Sequence, residues 1–294
     1  MTTMLDLVAD TRRQVYGSMS EQLNLIATDA AAGADTLVMQ LDVTGITPGK
    51  IIASGLNVWW VKGSDANSKT VYVVPGYDNS PKNAVVAGDV VTIHPRVTSW
   101  YLFTQINREI VRLSSPDTGL YKIGSWTAAV DPTWQTYDIP AASLGFSGLL
   151  RVRYLMPGTP DLWIDLPDKA YRVQVSDGYA RVRLLRHVPS GTSIQFLYKG
   201  TFTQATSLTD DVVAVCGLSE TMTDIPSLGA AFRLLRTTET QRGQIGAQGD
   251  TRRPSEVPAM SNLQSSQLLE RDYQRRVQEE MSRLLGRVSY QRSL

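Results

Sequence analysis

Short runs of β-branched and aromatic residues, each followed by a cluster of Gly, Pro, Asn, Asp or Ser, fill the chain from residue 36 to residue 93. Runs this short do not leave room for a core of long helices, and their regular spacing is typical of a small barrel or sandwich. The predicted strands of this region are 36–41, 56–62, 70–74 and 89–93.

A second β-rich region extends from residue 121 to about residue 202, and its clearest strands are 149–155, 171–175 and 180–185. Arginines alternate with apolar residues in two of these runs, which predicts strands with one buried and one exposed face. We therefore expect a two-sheet, jelly-roll-like sandwich here. The alternating arginines are Arg151, Arg153, Arg181 and Arg183.

Four helical segments are predicted before residue 242. Thr2 or Thr3 caps a first helix that ends at Gly17, and apolar residues at helical spacing predict a second helix from Ser99 to Ser114. Asp210 and Asp211 are expected to cap a short helix ending near residue 217, and a helix beginning at 225 and ending near 240 is expected to close the sandwich with it.

The C-terminal part of the sequence contains an extended arm followed by an amphipathic helix. Residues 243–262 are poor in apolar side chains and rich in helix breakers, whereas the last segment repeats an apolar residue every three or four positions. Such a helix must dock either on its own body or on another chain. The predicted docking stripe is Leu269, Tyr273, Val277, Met281 and Leu285.

These patterns together predict a mainly β protein with accessory helices. The expected organisation is an N-terminal helix, a small β-barrel-like domain, a linking helix, a β-sandwich with closing helices, an extended arm and a C-terminal docking helix. The corresponding residue ranges are 1–17, 18–97, 98–115, 116–242, 243–262 and 263–294.

Composition and motifs argue against catalysis and cofactor chemistry. With one Cys and two His scattered along the chain, the sequence lacks the ligands of a closed zinc site, and it contains no nucleophile elbow, Walker loop or dinucleotide fingerprint. His94, His187 and Cys216 are interpreted as structural residues. We therefore expect no enzyme activity, no metal and no cofactor.

Charge and hydropathy restrict the partners. Since 29 basic residues face 28 acidic ones, the net charge of +1 does not favour a general nucleic-acid binder, and no apolar run approaches the ~20 residues that span a bilayer. No secretory signal is visible, so synthesis in a cytoplasm is expected. The local basic pair Arg252 and Arg253 is assigned to a subunit contact, with DNA phosphates as the alternative.

The Trp59–Trp60 pair must place its two rings on opposite faces of a strand, which favours contact of at least one of them with a partner. Trp126, Trp134 and Trp163 are assigned mainly to packing. A row of these rings that binds sugars remains the alternative.

The order of several motifs resembles that of virion proteins of tailed bacteriophages. The resemblance is carried by the stretches 46–49, 56–61, 70–80 and 87–95, which precede a helix and a second β domain. Residues 228–235 and 252–258, followed by the Arg- and Glu-rich terminal helix, are similar to structural proteins of actinobacterial siphophages.

This resemblance implies a structural protein of the head-to-tail connector, forming a homo-oligomeric neck or adaptor ring below the portal. The implied location is the virion, with copies of the chain, the portal and adjacent neck or tail proteins as partners, non-specific contact with DNA in the lumen, and no membrane. The predicted interface residues are Trp59, Trp60, Arg252 and Arg253 together with the docking stripe.

Three other functions remain open from the sequence. The chain could be a tail terminator, tube or baseplate component, which only its neighbours would distinguish from a neck protein. It could be a carbohydrate-binding sandwich, or an enzyme that uses a carboxylate pair such as Asp161 and Asp165.

Overall fold

The computed structural model of the chain describes residues 2–17, 21–130, 136–159, 161–176, 178–189, 192–247 and 261–290, with the backbone alone for 238–247, 261–262 and 287–290. The described residues are mainly β, as predicted, with three sheets and a few helices that include a long C-terminal one. The chain divides into two compact units built from non-consecutive segments.

The first unit comprises residues 1–109, 205–215 and 220–275. Its six strands curl into half a barrel, in the spatial order β1-β6-β3-β4-β5-β2. Their bounds are β1 Gln22–Leu25, β2 Thr36–Val38, β3 Ile51–Ser54, β4 Asn57–Asp65, β5 Thr70–Pro75 and β6 Val90–Ile93. All neighbours in this sheet are antiparallel, and its interior is a cluster of buried aliphatic residues around Trp59.

Helix α1 (Met4–Tyr16) begins where the sequence predicts, because Thr3 and Asp6 form a capping box. The Thr3 backbone N–H donates to the Asp6 carboxylate over 2.8 Å, and the Asp6 N–H donates to the Thr3 hydroxyl over 3.3 Å. Gly17, with φ of +65°, ends the helix.

Helix α2 (Ser99–Leu113) also matches its prediction, with the hydroxyl of Thr98 accepting from the N–H of Tyr101. Its predicted apolar face is buried: Leu102, Phe103, Ile106, Ile110 and Leu113.

The second unit comprises residues 110–204, 216–219 and 276–294. A four-stranded antiparallel sheet has the order β10-β9-β13-β7, and a three-stranded one has the order β11-β12-β8. The bounds are β7 Lys122–Ala129, β8 Thr136–Ile139, β9 Phe146–Leu155, β10 Trp163–Asp165, β11 Tyr171–Ser176, β12 Tyr179–Leu184 and β13 Ser193–Gly200, with the short helix α3 (Ala141–Leu144) between β8 and β9.

Residues of both sheets share one buried cluster in this unit. Phe196 on β13 is fully buried and its ring lies 5.4 Å from the ring of Tyr137 on β8. A single core therefore holds the two sheets together.

Three local predictions were wrong. Residues 212–216 form hydrogen-bonded turns instead of a helix. The Asp210 carboxylate accepts from the N–H groups of Thr206 and Ser207, which precede it, whereas the Asp211 carboxylate accepts from the N–H of Val213 over 3.0 Å and caps the turns. Helix α4 (Ile225–Ala247) continues five residues into the predicted arm. It also belongs to the first unit, where it contacts α1, and not to the sandwich that it was expected to close.

Helix α5 (Ser261–Tyr290) is the predicted C-terminal helix. None of the helices in the described ranges is long and apolar enough to cross a membrane.

Candidate assembly surface

The two adjacent tryptophans lie on opposite faces of β4, as the alternation of a strand requires. Trp59 is only 4% exposed and belongs to the interior cluster of the six-stranded sheet, so its ring is covered by its own chain. Trp60 is 36% exposed on the outer face. Of the predicted pair, therefore, Trp60 alone presents its side chain to a possible neighbour.

Trp60 is the centre of an apolar row that crosses three strands on the outer face of the sheet. It lies directly opposite Ile51 of β3 on one side and Val74 of β5 on the other. Tyr72, two residues before Val74, points to the same face and is exposed. We call Ile51, Trp60, Tyr72 and Val74 the Trp60 row.

A cavity of about 570 Å³ begins at one end of this row, where Ile51 belongs to both. Its size is in the range of pockets that hold a drug-sized molecule or a few side chains. Helices and loops that are far apart in the sequence form its walls: Tyr16, Ile51, Val58, Tyr77, Asp78, Arg96, Val97, Thr98, Tyr101, Leu234 and Thr237.

The polar residues that line the cavity are three tyrosines, two threonines, one aspartate and one arginine. Burial raises the pKa of the Tyr16 phenol, the nearby Tyr101 adds to the increase, and the positive charge of Arg96 opposes it. Arg96 is exposed and forms no ion pair with any residue that the structure describes. The cavity can therefore offer a cation and hydrogen-bond donors to an incoming group.

The rim of the cavity is a loop with left-handed backbone at Gly76, Asp78 and Asn79. Asp and Asn are among the side chains that adopt this conformation most readily, which explains their presence after the glycine. The indole Nε1–H of Trp100 donates to the carbonyl of Asp78 over 3.0 Å, and this bond holds the loop to helix α2.

Two of the sequence stretches that carry the phage resemblance meet at this cavity. Val58 comes from the 56–61 stretch, and Tyr77 and Asp78 come from the 70–80 stretch. Both stretches carry motifs in the sequence, but only the fold places them side by side.

The residues of the predicted docking stripe of α5 are buried to different degrees along the helix. Tyr273 and Val277 are each 7% exposed, Leu269 and Met281 are half-buried, and Leu285 is 59% exposed. Leu284, the neighbour of Leu285, is the buried residue of that turn.

The first half of α5 docks on α4 of its own chain. The ring of Tyr273 lies 5.5 Å from that of Phe232, and the Ser266 hydroxyl donates to the Phe232 carbonyl over 2.9 Å. Beside this contact, Arg233 forms an ion pair of 2.7 Å with the buried carboxylate of Glu109. In this structure Tyr273 therefore packs on the chain's own body.

The remaining predicted interface residues, Arg252 and Arg253, lie outside the described residues.

Cys216 is fully buried, as predicted for a packing residue. Within the described ranges, no three His, Cys, Asp or Glu side chains form a group that could hold a metal ion.

Several residues of the other functional alternatives have packing or ion-pair contacts in the described part of the chain. The Trp126 ring packs 5.4 Å from Phe196 and the guanidinium of Arg153 lies 5.1 Å from the Trp163 ring centre, while Trp134 lies outside the described residues. Asp165 forms an ion pair of 2.8 Å with Arg151.

No protein-family model matches the chain, and no curated protein is similar enough in sequence to count as a relative.

Proposed function

We propose that the chain is a structural protein of the phage head-to-tail connector, forming a neck or adaptor ring between portal and tail. The observation that carries the proposal furthest is the Trp60 row, since aromatic side chains are enriched at protein interfaces and an outer sheet face is usually polar. The phage-like order of motifs in the sequence supports the same function.

The Trp60 row and the adjacent cavity suit contact with a neighbouring protein. A flat apolar row beside a cavity that holds Tyr77, Tyr101 and Arg96 resembles the composition of interface hot spots, where Trp, Tyr and Arg dominate. In the proposed assembly the neighbour is another copy, the portal or an adjacent neck or tail protein, inside the virion.

Two finer features of the fold belong to this proposal. A closed barrel in the first unit is supported by the bonds Ala27 N–H to Val38 carbonyl and Gln40 N–H to Leu25 carbonyl, which join the outermost strands β1 and β2 near their ends. A jelly-roll derivative in the second unit is supported by the strand orders β10-β9-β13-β7 and β11-β12-β8, because the chain passes between the two sheets at β7–β8, β8–β9, β10–β11 and β12–β13.

Deletion of the gene, followed by imaging of the particles, tests this proposal. In the phage that encodes the chain, removal of its gene should give DNA-filled heads and complete tails that remain separate in negative-stain images. Heads without any complete tails would favour the alternative of a tail terminator, tube or baseplate protein, and infectious particles would exclude both.

A matched pair of variants tests the Trp60 row in the same system. Trp60→Asp should fail to restore joined particles because a charge in the row cannot be buried without a partner. Val86→Asp, which places the same charge at an exposed residue outside the row, should restore them. Full restoration of joined particles by Trp60→Asp would show that the Trp60 row is not an interface.

A further inference from the structure

Strand β11 is an edge strand whose apolar face lacks a cover among the described residues. Val173 lies opposite Val182, and Val175 lies opposite Ala180. Both β12 residues are buried, yet Val173 is 40% exposed and Val175 is 64% exposed. The face that forms core on β12 therefore continues as open apolar surface on β11.

The other face of β11 carries unbalanced positive charge. Arg172 lies directly opposite Arg183 of β12, and like charges in this position repel each other. Neither arginine forms an ion pair with any side chain that the structure describes. A carboxylate placed beside Arg172 would relieve this repulsion.

Strand β8, the opposite edge of the same sheet, has the complementary pattern. Its outer face carries Asp138, which accepts hydrogen bonds of 2.7 and 2.8 Å from Arg181 of the neighbouring strand β12. Its inner face carries Tyr137 and Ile139, both buried. On its other side β8 has no neighbouring strand within the described residues.

We propose that the β8 edge of one copy pairs with the β11 edge of the next, so that the three-stranded sheet continues from copy to copy. Open strand edges are ready templates for such pairing. Asp138 then lies between Arg181 of its own chain and Arg172 of the next copy, and the inner side chains of β8 lie beside Val173 and Val175 and continue their apolar face.

This contact deepens the proposed function and rests on it, because it supplies the subunit contact of the ring. It joins two different edges and is therefore heterologous, which is the kind of contact that closes into a ring when the rotation between copies permits. Contact between two identical β11 edges would bring Arg172 of both copies together and is not favoured by charge.

Self-association of the full chain, measured by light scattering over a concentration series, tests the contact. The wild type should associate, and Arg172→Glu and Val175→Asp should each raise the dissociation constant about a hundredfold or more, by repulsion from Asp138 and by an unpaired buried charge respectively. Arg108→Glu, which makes the same charge change on an exposed residue of helix α2, is the matched control and should associate like the wild type.

A charge exchange distinguishes loss of this contact from loss of the fold. The triple variant Arg172→Glu, Asp138→Arg, Arg181→Glu reverses the charges but keeps both the pair within the chain and the proposed pair between copies, so it should recover the wild-type association. Arg172→Glu should keep the wild-type circular dichroism spectrum.

Two outcomes overturn the inference and leave the proposed function standing. The first is a wild type that associates together with an Arg172→Glu variant that associates equally well, which would place the contact elsewhere. The second is a wild type that stays monomeric at all concentrations, since the proposed function can still be tested through joined heads and tails in the phage.

Discussion

Replacement of Tyr273 by alanine tests whether helix α5 is held by its own chain. The Tyr273 ring is 7% exposed and packs against Phe232 of α4, so truncation removes a buried aromatic side chain and its partner contact. Loss of a large buried aromatic residue costs about 3–5 kcal/mol of unfolding free energy. The aromatic pair itself accounts for about 0.5–1.5 kcal/mol beyond the buried area.

Urea denaturation followed by circular dichroism measures this loss. With an m-value of about 2–3 kcal/mol/M, a loss of 3 kcal/mol lowers the midpoint by about 1–1.5 M. Leu268→Ala is the matched control, because Leu268 is an exposed residue of the same helix and its truncation should change the unfolding free energy by less than about 0.5 kcal/mol.

Concentration dependence decides between the two ways of docking the helix. If α5 packs on its own chain, the midpoint of the wild type does not depend on protein concentration in the monomeric range. A midpoint that rises with concentration, together with a Tyr273→Ala effect below about 1 kcal/mol in the monomer, would refute the reasoning and assign the stripe to a neighbouring chain.

Two further predictions concern stability. Gly229→Ala in α4 should destabilise the fold by about 1–2 kcal/mol despite the better helix propensity of alanine, because the new methyl would lie 2.9 Å from the Glu109 carboxylate and 3.0 Å from the Tyr273 ring. Gly286→Ala in α5 meets no atom within 4 Å and should instead raise the melting temperature; equal effects of the two variants would contradict the packing of α4. Hydrogen bonds from the N–H groups of Ser207 and Thr206 lower the pKa of Asp210, and bonds from Thr3 lower that of Asp6. A lowered pKa in the folded state stabilises the fold above about pH 4 and ceases to do so as the pH falls through the lowered value, so the urea midpoint should drop between pH 5 and pH 3. Asp210→Asn should reduce that drop, and an unchanged drop would contradict the assigned cause.

Helices with a cap and a full apolar face could be predicted from sequence because both signals are local. Thr3 and Gly17 mark the ends of α1, and the spacing from Leu102 to Leu113 marks α2. The strands β1 (Gln22–Leu25) and β3 (Ile51–Ser54) were missed although β6 (Val90–Ile93), of the same length, was predicted. All four residues of β6 are β-branched, whereas β1 contains none and β3 ends in Ala and Ser, which signal a strand weakly.

The candidate site could be predicted only in part. Trp60 was found because adjacent tryptophans on one strand must separate to two faces. The cavity beside it was not found, since Tyr16, Ile51, Tyr77, Arg96 and Leu234 come from five separate segments and only the tertiary fold brings them together.

The region around Asp210 shows a helix that was predicted but is not formed. A carboxylate before an apolar run favours a helix cap, but Asp210 binds the N–H groups of Thr206 and Ser207 on its N-terminal side. The same residue type can thus cap a helix that follows or close a loop that precedes it, and the sequence alone contains both possibilities.

The central claim is that this chain works by assembling with other proteins of a virion. Negative-stain images of the purified chain mixed with the portal ring of the phage proposed to encode it test it most directly. We expect rings of the chain seated on the portal, with the contact weakened by Trp60→Asp. A chain that leaves the portal bare, and that is retained on a polysaccharide column instead, would contradict the claim and favour the carbohydrate-binding alternative.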